Sequence, residues 1–255
     1  MNKEVKMNQI DENKVVAVVL LAGKILLESG AETYRVEDTM TRIARHYGLH
    51  STHSFVTPTA IIFSASTESP SRLLRVLSRT TDLEKIVETN EISRAITADI
   101  LSLETAHDAL QDLSDSNKHF PYWLRMLSAA IVSGLFLIMF NGDFRDIVPS
   151  VIAGGIGLMV AEFIQEHTRL KFFAEFAGAF VIAMTALLAV NFLGGVSLNK
   201  VIISAVMPLV PGVLITNAIR DLMAAHLLAG AVKGVEASLT AFAIGTGVAV
   251  CLILL

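Results

Sequence analysis

Before Tyr122, apolar residues alternate with polar ones at helical or strand spacing; beyond it they run on almost without interruption. ENKVVAVVLLAGKILLESG carries a helical stripe ending at Gly30. SGAETYRVEDTMTRIARHYGL predicts a second helix, with Ser29 and Glu32 in capping-box spacing and Gly48 as its stop. STHSFVTPTAIIFSAS is rich in β-branched residues and divided at Thr57-Pro58, which predicts two strands, with RLLRVLSR a third. DLEKIVETNEISRAITADILSLETAHDAL predicts one long amphipathic helix leading toward the apolar half. The first strongly apolar run, Val15 to Leu27, is interrupted by Lys24 and too short to span a bilayer, so it predicts a core helix. Residues 1–118 therefore read as a compact α+β domain in water.

The second regime holds five stretches with few or no charges, placed at 122–142, 146–165, 172–193, 200–219 and 234–255. A spanning helix needs about 20 mainly apolar residues. The second stretch qualifies only if Glu162 lies at its end or faces protein. The expected fold class is thus an α+β soluble N-terminal domain followed by an all-α transmembrane bundle of about five helices over residues 119–255. Gly154, Gly155, Gly157, Gly178, Gly245 and Gly247 thin these spans. Small residues let membrane helices approach closely, so helix packing is their expected use.

Composition agrees with this division. The chain is 53% hydrophobic and 17% charged, with mean hydropathy +0.59. Of 20 Lys and Arg, 13 precede Tyr122; of 24 Asp and Glu, 17 do. A net charge of −4 offers no basic stripe for nucleic acid. The lone Cys251 can form no internal disulfide, and no signal peptide is visible. With the N-terminal domain inside, Lys118, Arg125, Arg169, Lys171, Arg220 and Lys233 lie inside, against Arg145 and Lys200 outside. That bias predicts a cytoplasmic N-terminal domain and an outside C-terminus. An odd span count also means that a similar unit following from outside would be inverted, as in many secondary transporters.

The fourth span breaks its own pattern in MPLVPGVLITNAIRDLMAAHLLAG. Pro208 and Pro211 each remove a backbone donor and clash one turn earlier, and Gly212 adds freedom. Freed carbonyls in hydrocarbon survive only against protein or a water-filled cavity. A helix restarting near Val213 would aim its positive N-terminus into that cavity, which suits a carboxylate. Thr216 with Arg220 and Asn217 with Asp221 are i,i+4 pairs on its continuation. An ordinary interfacial ion pair is the plainer alternative for Arg220 and Asp221. DLMAAHLLAGAVKG, with His226, reads as a short interfacial helix.

Intramembrane acids are costly and are functional candidates by default, which singles out Glu162 and Glu175 as ion or proton carriers beside Asp221. Both glutamates also lie close to the EHTRLK loop, where water could solvate them. His46, His50 and His53 lack the helical i,i+4 spacing of a metal pair because Gly48 intervenes, so no metal site is expected. There is no Gly-x-Ser-x-Gly elbow, phosphate-binding glycine loop or paired cysteine. No catalytic apparatus or cofactor is therefore expected. A membrane-anchored enzyme or sensor working through the soluble domain remains the competing class.

SGAETYRVEDTM, TAIIFSAS, LEKIVETNEISR and PLVPG…NAIRDLMAAHLLAG together, in this order, resemble the threonine/serine exporter family, specifically its N-terminal unit. The resemblance covers nearly the whole chain. It implies a bacterial inner-membrane protein exporting small hydrophilic amino acids. Fused members carry further membrane helices; split members, similar to a two-subunit succinate exporter, pair with a smaller membrane protein. Ending after its fifth span, this chain resembles a split member, which leaves threonine/serine and dicarboxylate both open as substrates and implies a second small membrane subunit, with homo-oligomerisation also possible. Carried over by motif, Pro208, Pro211, Gly212, Asn217, Arg220 and Asp221 are the implied substrate residues. Gly30, Glu32, Arg35 and Glu37 match the signature helix, implied as a cytoplasmic gate or docking surface, with capping and surface ion pairing as the plainer use.

Overall fold

A computed structural model describes residues 12–116 and 120–254. Lys118, counted above toward orientation, and the expected domain boundary beside it lie outside the described residues. In chain order the elements are α1 (Glu12–Glu28), α2 (Thr33–His46), β1 (His53–Thr57), β2 (Ala60–Ser64), β3 (Arg72–Arg75), α3 (Leu83–Thr97), α4 (Leu103–Asp115), α5 (Tyr122–Met139), α6 (Ile147–Thr168), α7 (Lys171–Leu193), α8 (Leu198–Val206), α9 (Gly212–Met223) and α10 (Leu227–Leu254). Short 3₁₀ turns precede α6 (Phe144–Asp146) and follow α8 (Met207–Leu209).

The chain divides into two compact units. One holds the described part of Met1–Asn117 together with Val213–Gly234; the other holds the described part of Lys118–Gly212 with Val235–Leu255. This corrects the expected fold class. Three strands of four or five residues make one small sheet in a chain that is otherwise mostly helical. Nor is the first unit simply N-terminal, since it takes in a segment from within the apolar half. The physical reason is long-range polar pairing, described below, which a left-to-right reading of apolar runs cannot detect.

In the first unit, Val19, Ala22, Val36, Met40, Ile61 and Phe63 are fully buried and form the centre of the core. The sheet is an antiparallel meander in the order β1-β2-β3, with Phe55 opposite Ile62 and Ile62 opposite Leu73. Alternation places Val56, Ile61 and Phe63 inward. The strand pair turns at Thr57–Ala60, where the Thr57 hydroxyl bridges the turn. Two expectations change here. α2 begins at Thr33 with Glu32 as its N-cap and no side-chain cap, so Ser29 and Glu32 form no capping box. The single long helix is two: it breaks at Asp99, which sits at φ 57°, and restarts behind Ser102, whose hydroxyl caps Thr105 N–H.

Among the described residues, four helical segments are long and apolar enough to cross a membrane: Tyr122–Met139, Phe144–Thr168, Lys171–Leu193 and Leu227–Leu254. Leu198–Leu209 and Gly212–Met223 pass only as a pair, bent by 63° at their break, which makes five if the pair is one span. DLMAAHLLAGAVKG is no separate interfacial helix; after a turn at Ala225 (φ 64°), Leu227 begins 28 continuous helical residues.

The second unit packs through its small residues. A Cβ on Gly157 would stand 2.0 Å from Ile182 Cγ1, and one on Gly247 would stand 2.3 Å from the Phe176 carbonyl oxygen. Close backbone approach replaces the hydrophobic drive that lipid cannot supply. Ser150 lies at the centre of a buried polar seam, 2.8 Å from the Ser204 hydroxyl and donating to Ser133 O at 3.0 Å. Asp146, fully buried, accepts from Val196 N and Ser197 N at 2.6 and 3.1 Å and fixes the loop between α7 and α8.

Candidate functional site

The site is built from the first turn of α2 and the segment that follows the proline break, all within the first unit. α1 ends at Glu28, and Gly30 just beyond it has a φ of 84° that favours glycine; an added Cβ would also sit 3.0 Å from Thr80 O. The chain then extends through Ala31 and Glu32 before α2 begins. That leaves the Gly30 and Ala31 carbonyls and the first N–H of α2 in need of partners, as at any helix terminus.

The partners come from about 190 residues further along the sequence. On α9, Asn217, Arg220 and Asp221 stand at i, i+3 and i+4 and share one face. Asn217 Nδ2 donates to Gly30 O at 2.8 Å. Asp221 accepts from Thr33 N on Oδ1 and from Thr33 Oγ1 on Oδ2, both at 2.9 Å. A carboxylate at a helix N-terminus also meets the positive end of the helix dipole. Lys233 Nζ lies 2.7 Å from Asp221 Oδ2 and 3.3 Å from both Ala31 O and Thr33 Oγ1, so its three N–H groups face three acceptors. Asp221 is 0% exposed and Lys233 3%, so this is a buried ion pair.

A second layer surrounds that pair. Glu32, 7% exposed, accepts from Arg220 Nη1 at 2.6 Å on Oε1, while Arg35 Nε stands 3.3 Å from its Oε2. Glu37 Oε1 accepts from Val56 N at 3.0 Å and lies 3.9 Å from His226 Nδ1. Burial pushes the Glu37 carboxyl above its ordinary range, an effect the Val56 N–H and His226 reduce and Asp221 reinforces.

Of the residues singled out by sequence, Gly30, Glu32, Arg35, Glu37, Asn217, Arg220 and Asp221 come together here. The i,i+4 partners expected on α9 are replaced: Asn217, Arg220 and Asp221 each bond to the Gly30–Thr33 segment instead. Thr216 Oγ1 donates to Val213 O on its own helix. Pro208 lies in the 3₁₀ turn and Pro211 follows the extended Val210, so both mark the break itself. A Cβ on Gly212 would meet nothing within 4 Å. The residue that sequence reasoning missed is Lys233. Its signal is a lone lysine at the head of a long apolar run, which the sequence reading counts only toward orientation.

The remaining acids sit in the second unit. Glu162 pairs with Arg125 at 2.9 Å, next to a cavity of about 510 Å³ lined by Tyr122, Arg125, Met159, Val160, Phe163 and Glu166. Glu175 is buried on α7 with Thr240 beside it, and one turn away Lys171 bonds Glu236 at 2.9 Å. Glu175 Oε2 and Thr240 Oγ1 have no hydrogen-bond partner among the described residues. Of the three histidines, His46 lies 3.3 Å from Asp99 and His53 contacts Thr67. The described residues hold no group of three or more metal-ligating side chains.

Several apolar helices, one of them broken at prolines, define a multi-pass membrane protein with a buried charged cluster beyond the break. The chain belongs to the threonine/serine exporter family: the family model described as "Putative threonine/serine exporter" matches residues 17–255. It is 22% identical over 225 residues to a "Probable threonine/serine exporter" of Mycobacterium tuberculosis, covering 87% of this chain and 42% of that protein. It is 23% identical to the "Threonine/serine exporter" of Corynebacterium glutamicum, over 83% of this chain and 46% of the relative. A "Probable succinate transporter subunit" of Escherichia coli (strain K12) is 22% identical over 94% of both chains. The chain thus spans less than half the length of the first two relatives and nearly all of the third. No solved structure matches it.

Proposed function

We propose that this chain is one subunit of a secondary exporter that moves small hydrophilic carboxylate-bearing metabolites, threonine and serine foremost, out of the cytoplasm. The observation that carries this reading is the bonding of the post-break residues Asn217, Arg220 and Asp221 to the Gly30–Thr33 segment. Broken helices whose polar ends are held by protein are how membrane transporters build substrate sites. The succinate reading stands second, favoured by the relative that this chain matches over nearly its full length.

In this reading the protein works as a carrier rather than a catalyst, and Pro208, Pro211, Gly212 and Thr216 shape the break through which substrate passes. The excess of Lys and Arg on one side supports an inner-membrane placement with a cytoplasmic N-terminus and an outside C-terminus. A second, smaller membrane subunit completes the path, as the word "subunit" in the relative's description suggests. Glu175 is the assigned proton carrier. Asp221 is already paired with Lys233 and Glu162 with Arg125, whereas Glu175, buried on α7, forms no ion pair among the described residues.

The test is efflux of labelled threonine, serine and succinate from cells lacking their own exporters, with this chain expressed alone and with a candidate second subunit. Efflux that requires both proteins is the expected result and names the substrate class. Absence of efflux of all three, with both proteins in the membrane, refutes the proposal.

A further inference from the structure

The pair of guanidiniums gathered on Glu32 has more hydrogen-bonding capacity than Glu32 can use. Arg220 reaches Oε1 through Nη1 at 2.6 Å, and Arg35 approaches Oε2 through Nε at 3.3 Å. Each guanidinium carries five N–H donors in a planar fork. Arg35 Nε also meets Tyr34 Oη at 3.2 Å, and the Arg35 guanidinium lies 6.0 Å from the Tyr34 ring centroid, which sets its plane. Among the described residues, no other acceptor engages either arginine. The two side chains remain 50% and 57% exposed, while the Glu32 side chain between them is 9% exposed.

One carboxylate between two guanidiniums leaves one positive charge unbalanced. The Asp221–Lys233 pair beneath is neutral in itself, so it does not cancel that charge. Glu32 thus acts as a buried spacer: it holds two arginines side by side, each with about half of its side chain exposed. Such a fork–fork arrangement fits the planar, bidentate geometry of a carboxylate.

We infer that Arg35 and Arg220 form an entry site for the carboxylate of the transported metabolite, with Glu32 and Tyr34 as positioning residues. This rests on the exporter reading above and adds to it an arginine, Arg35, outside the broken helix. The ligand carboxylate bridges the outer N–H groups of both arginines and supplies the missing negative charge.

The experiment is calorimetric titration of the purified full chain, in nanodiscs of neutral phosphatidylcholine, with threonine, serine and succinate. Arg35→Gln is the cleaner variant, because Arg35 bonds only within its own segment, whereas Arg220 also ties two distant segments together. A hydrogen bond to a charged group contributes about 1.5–3 kcal/mol, so Arg35→Gln is expected to weaken binding by roughly tenfold or more. The thermal midpoint should stay within a few degrees, and Arg35→Lys should restore part of the affinity. The control is Arg42→Gln, which removes a surface pair with Asp38 and should leave binding unchanged. Wild-type affinity in Arg35→Gln overturns the inference while leaving the exporter reading intact. So does absence of binding to the wild-type chain when the assembled exporter still transports the same metabolite. Absence of efflux of all three metabolites by the wild-type assembly, with both proteins in the membrane, refutes the exporter reading itself, whatever the titration gives.

Discussion

The buried Asp221–Lys233 pair makes a prediction in which two changes together do less harm than one. Removing one member of a buried ion pair typically costs about 3–5 kcal/mol, because the other is left as an uncompensated charge in low dielectric. Asp221→Leu strands Lys233, a residue 3% exposed whose nitrogen then keeps only the Ala31 carbonyl and Thr33 hydroxyl for company. It also orphans the Thr33 N–H at the start of α2, for which an unmade buried hydrogen bond adds about 1–3 kcal/mol. Lys233→Met instead removes the cation and leaves Asp221 with both Thr33 donors, so its cost should sit at the lower end of the ion-pair range. In the double variant neither charge is buried alone, and the remaining penalty is chiefly the orphaned Thr33 donors, about 1–3 kcal/mol.

The expected order of stability is therefore wild type, then the double variant, then Lys233→Met, with Asp221→Leu lowest. Thermal and denaturant unfolding of the purified full chain in one fixed detergent, followed by circular dichroism, gives the four values of a double-mutant cycle. The diagnostic sign is that Lys233→Met stabilises the Asp221→Leu background although it destabilises the wild type. Additive losses would refute the reasoning, because additivity means that the two side chains do not share a buried interaction. Losses below about 0.5 kcal/mol at both sites, the size of an ordinary surface change, would refute it equally.

Other expectations follow from single contacts. Glu37 has a carboxyl pKa raised by burial, so the folded state holds its proton to higher pH than the unfolded chain. Its contribution to stability is therefore fully present below the ordinary glutamate value of about 4.3 and is lost as pH rises through the raised value. The stability difference between wild type and Glu37→Gln, measured across mildly acidic pH, should fall as pH rises; a flat difference counts against the burial argument. Gly247→Ala would place a methyl group 2.3 Å from the Phe176 carbonyl oxygen, a backbone atom that cannot rotate away. It should cost about 1–3 kcal/mol as overpacking, read as lower yield and thermal midpoint in detergent. Gly212→Ala meets no atom within 4 Å and gains helix propensity, so it should leave stability unchanged or raise it by up to about 1 kcal/mol. Lost efflux in a stable Gly212→Ala protein would mark that glycine as mobile during transport. Glu175→Gln should preserve insertion and remove the pH dependence of efflux; an unaltered pH profile transfers the coupling role elsewhere.

How much of this was legible in the sequence depended on range. Local signals carried well: Gly30 ended α1 because its positive φ favours glycine, and Thr57-Pro58 divided two strands. Apolar runs located the long helices of the second half. Two local signals misled. Ser29 and Glu32 have capping-box spacing, yet α2 starts later because the buried Glu32 carboxylate is taken up by the two arginines while Asp221 takes the helix's first N–H. The periodic stretch across residues 83–115 hid a break at Asp99, where a left-handed residue interrupts a pattern that apolar spacing alone would continue.

The larger miss was one of partners. Sequence reading gave Asn217 and Asp221 to each other because they are four residues apart, and it counted Lys233 only toward topology. Spacing on one helix says which side chains share a face but not what that face meets. Here it meets a helix terminus with unfilled donors and acceptors: Asn217 fills the Gly30 carbonyl, Asp221 the Thr33 N–H, and Arg220 pairs with the Glu32 carboxylate beside them. That pairing explains why the chain places polar groups directly after breaking its own helix. A break in hydrocarbon needs protein to hold its polar ends. Asp221, Arg220 and Asn217 tie the segment after the break to the Gly30–Thr33 turn, and Lys233 brings the next helix to the same point. Any movement of the break must then either carry the first turn of α2 with it or exchange these bonds for others. A variant that removes one of these bonds without unfolding the unit should therefore alter transport rate more than substrate choice.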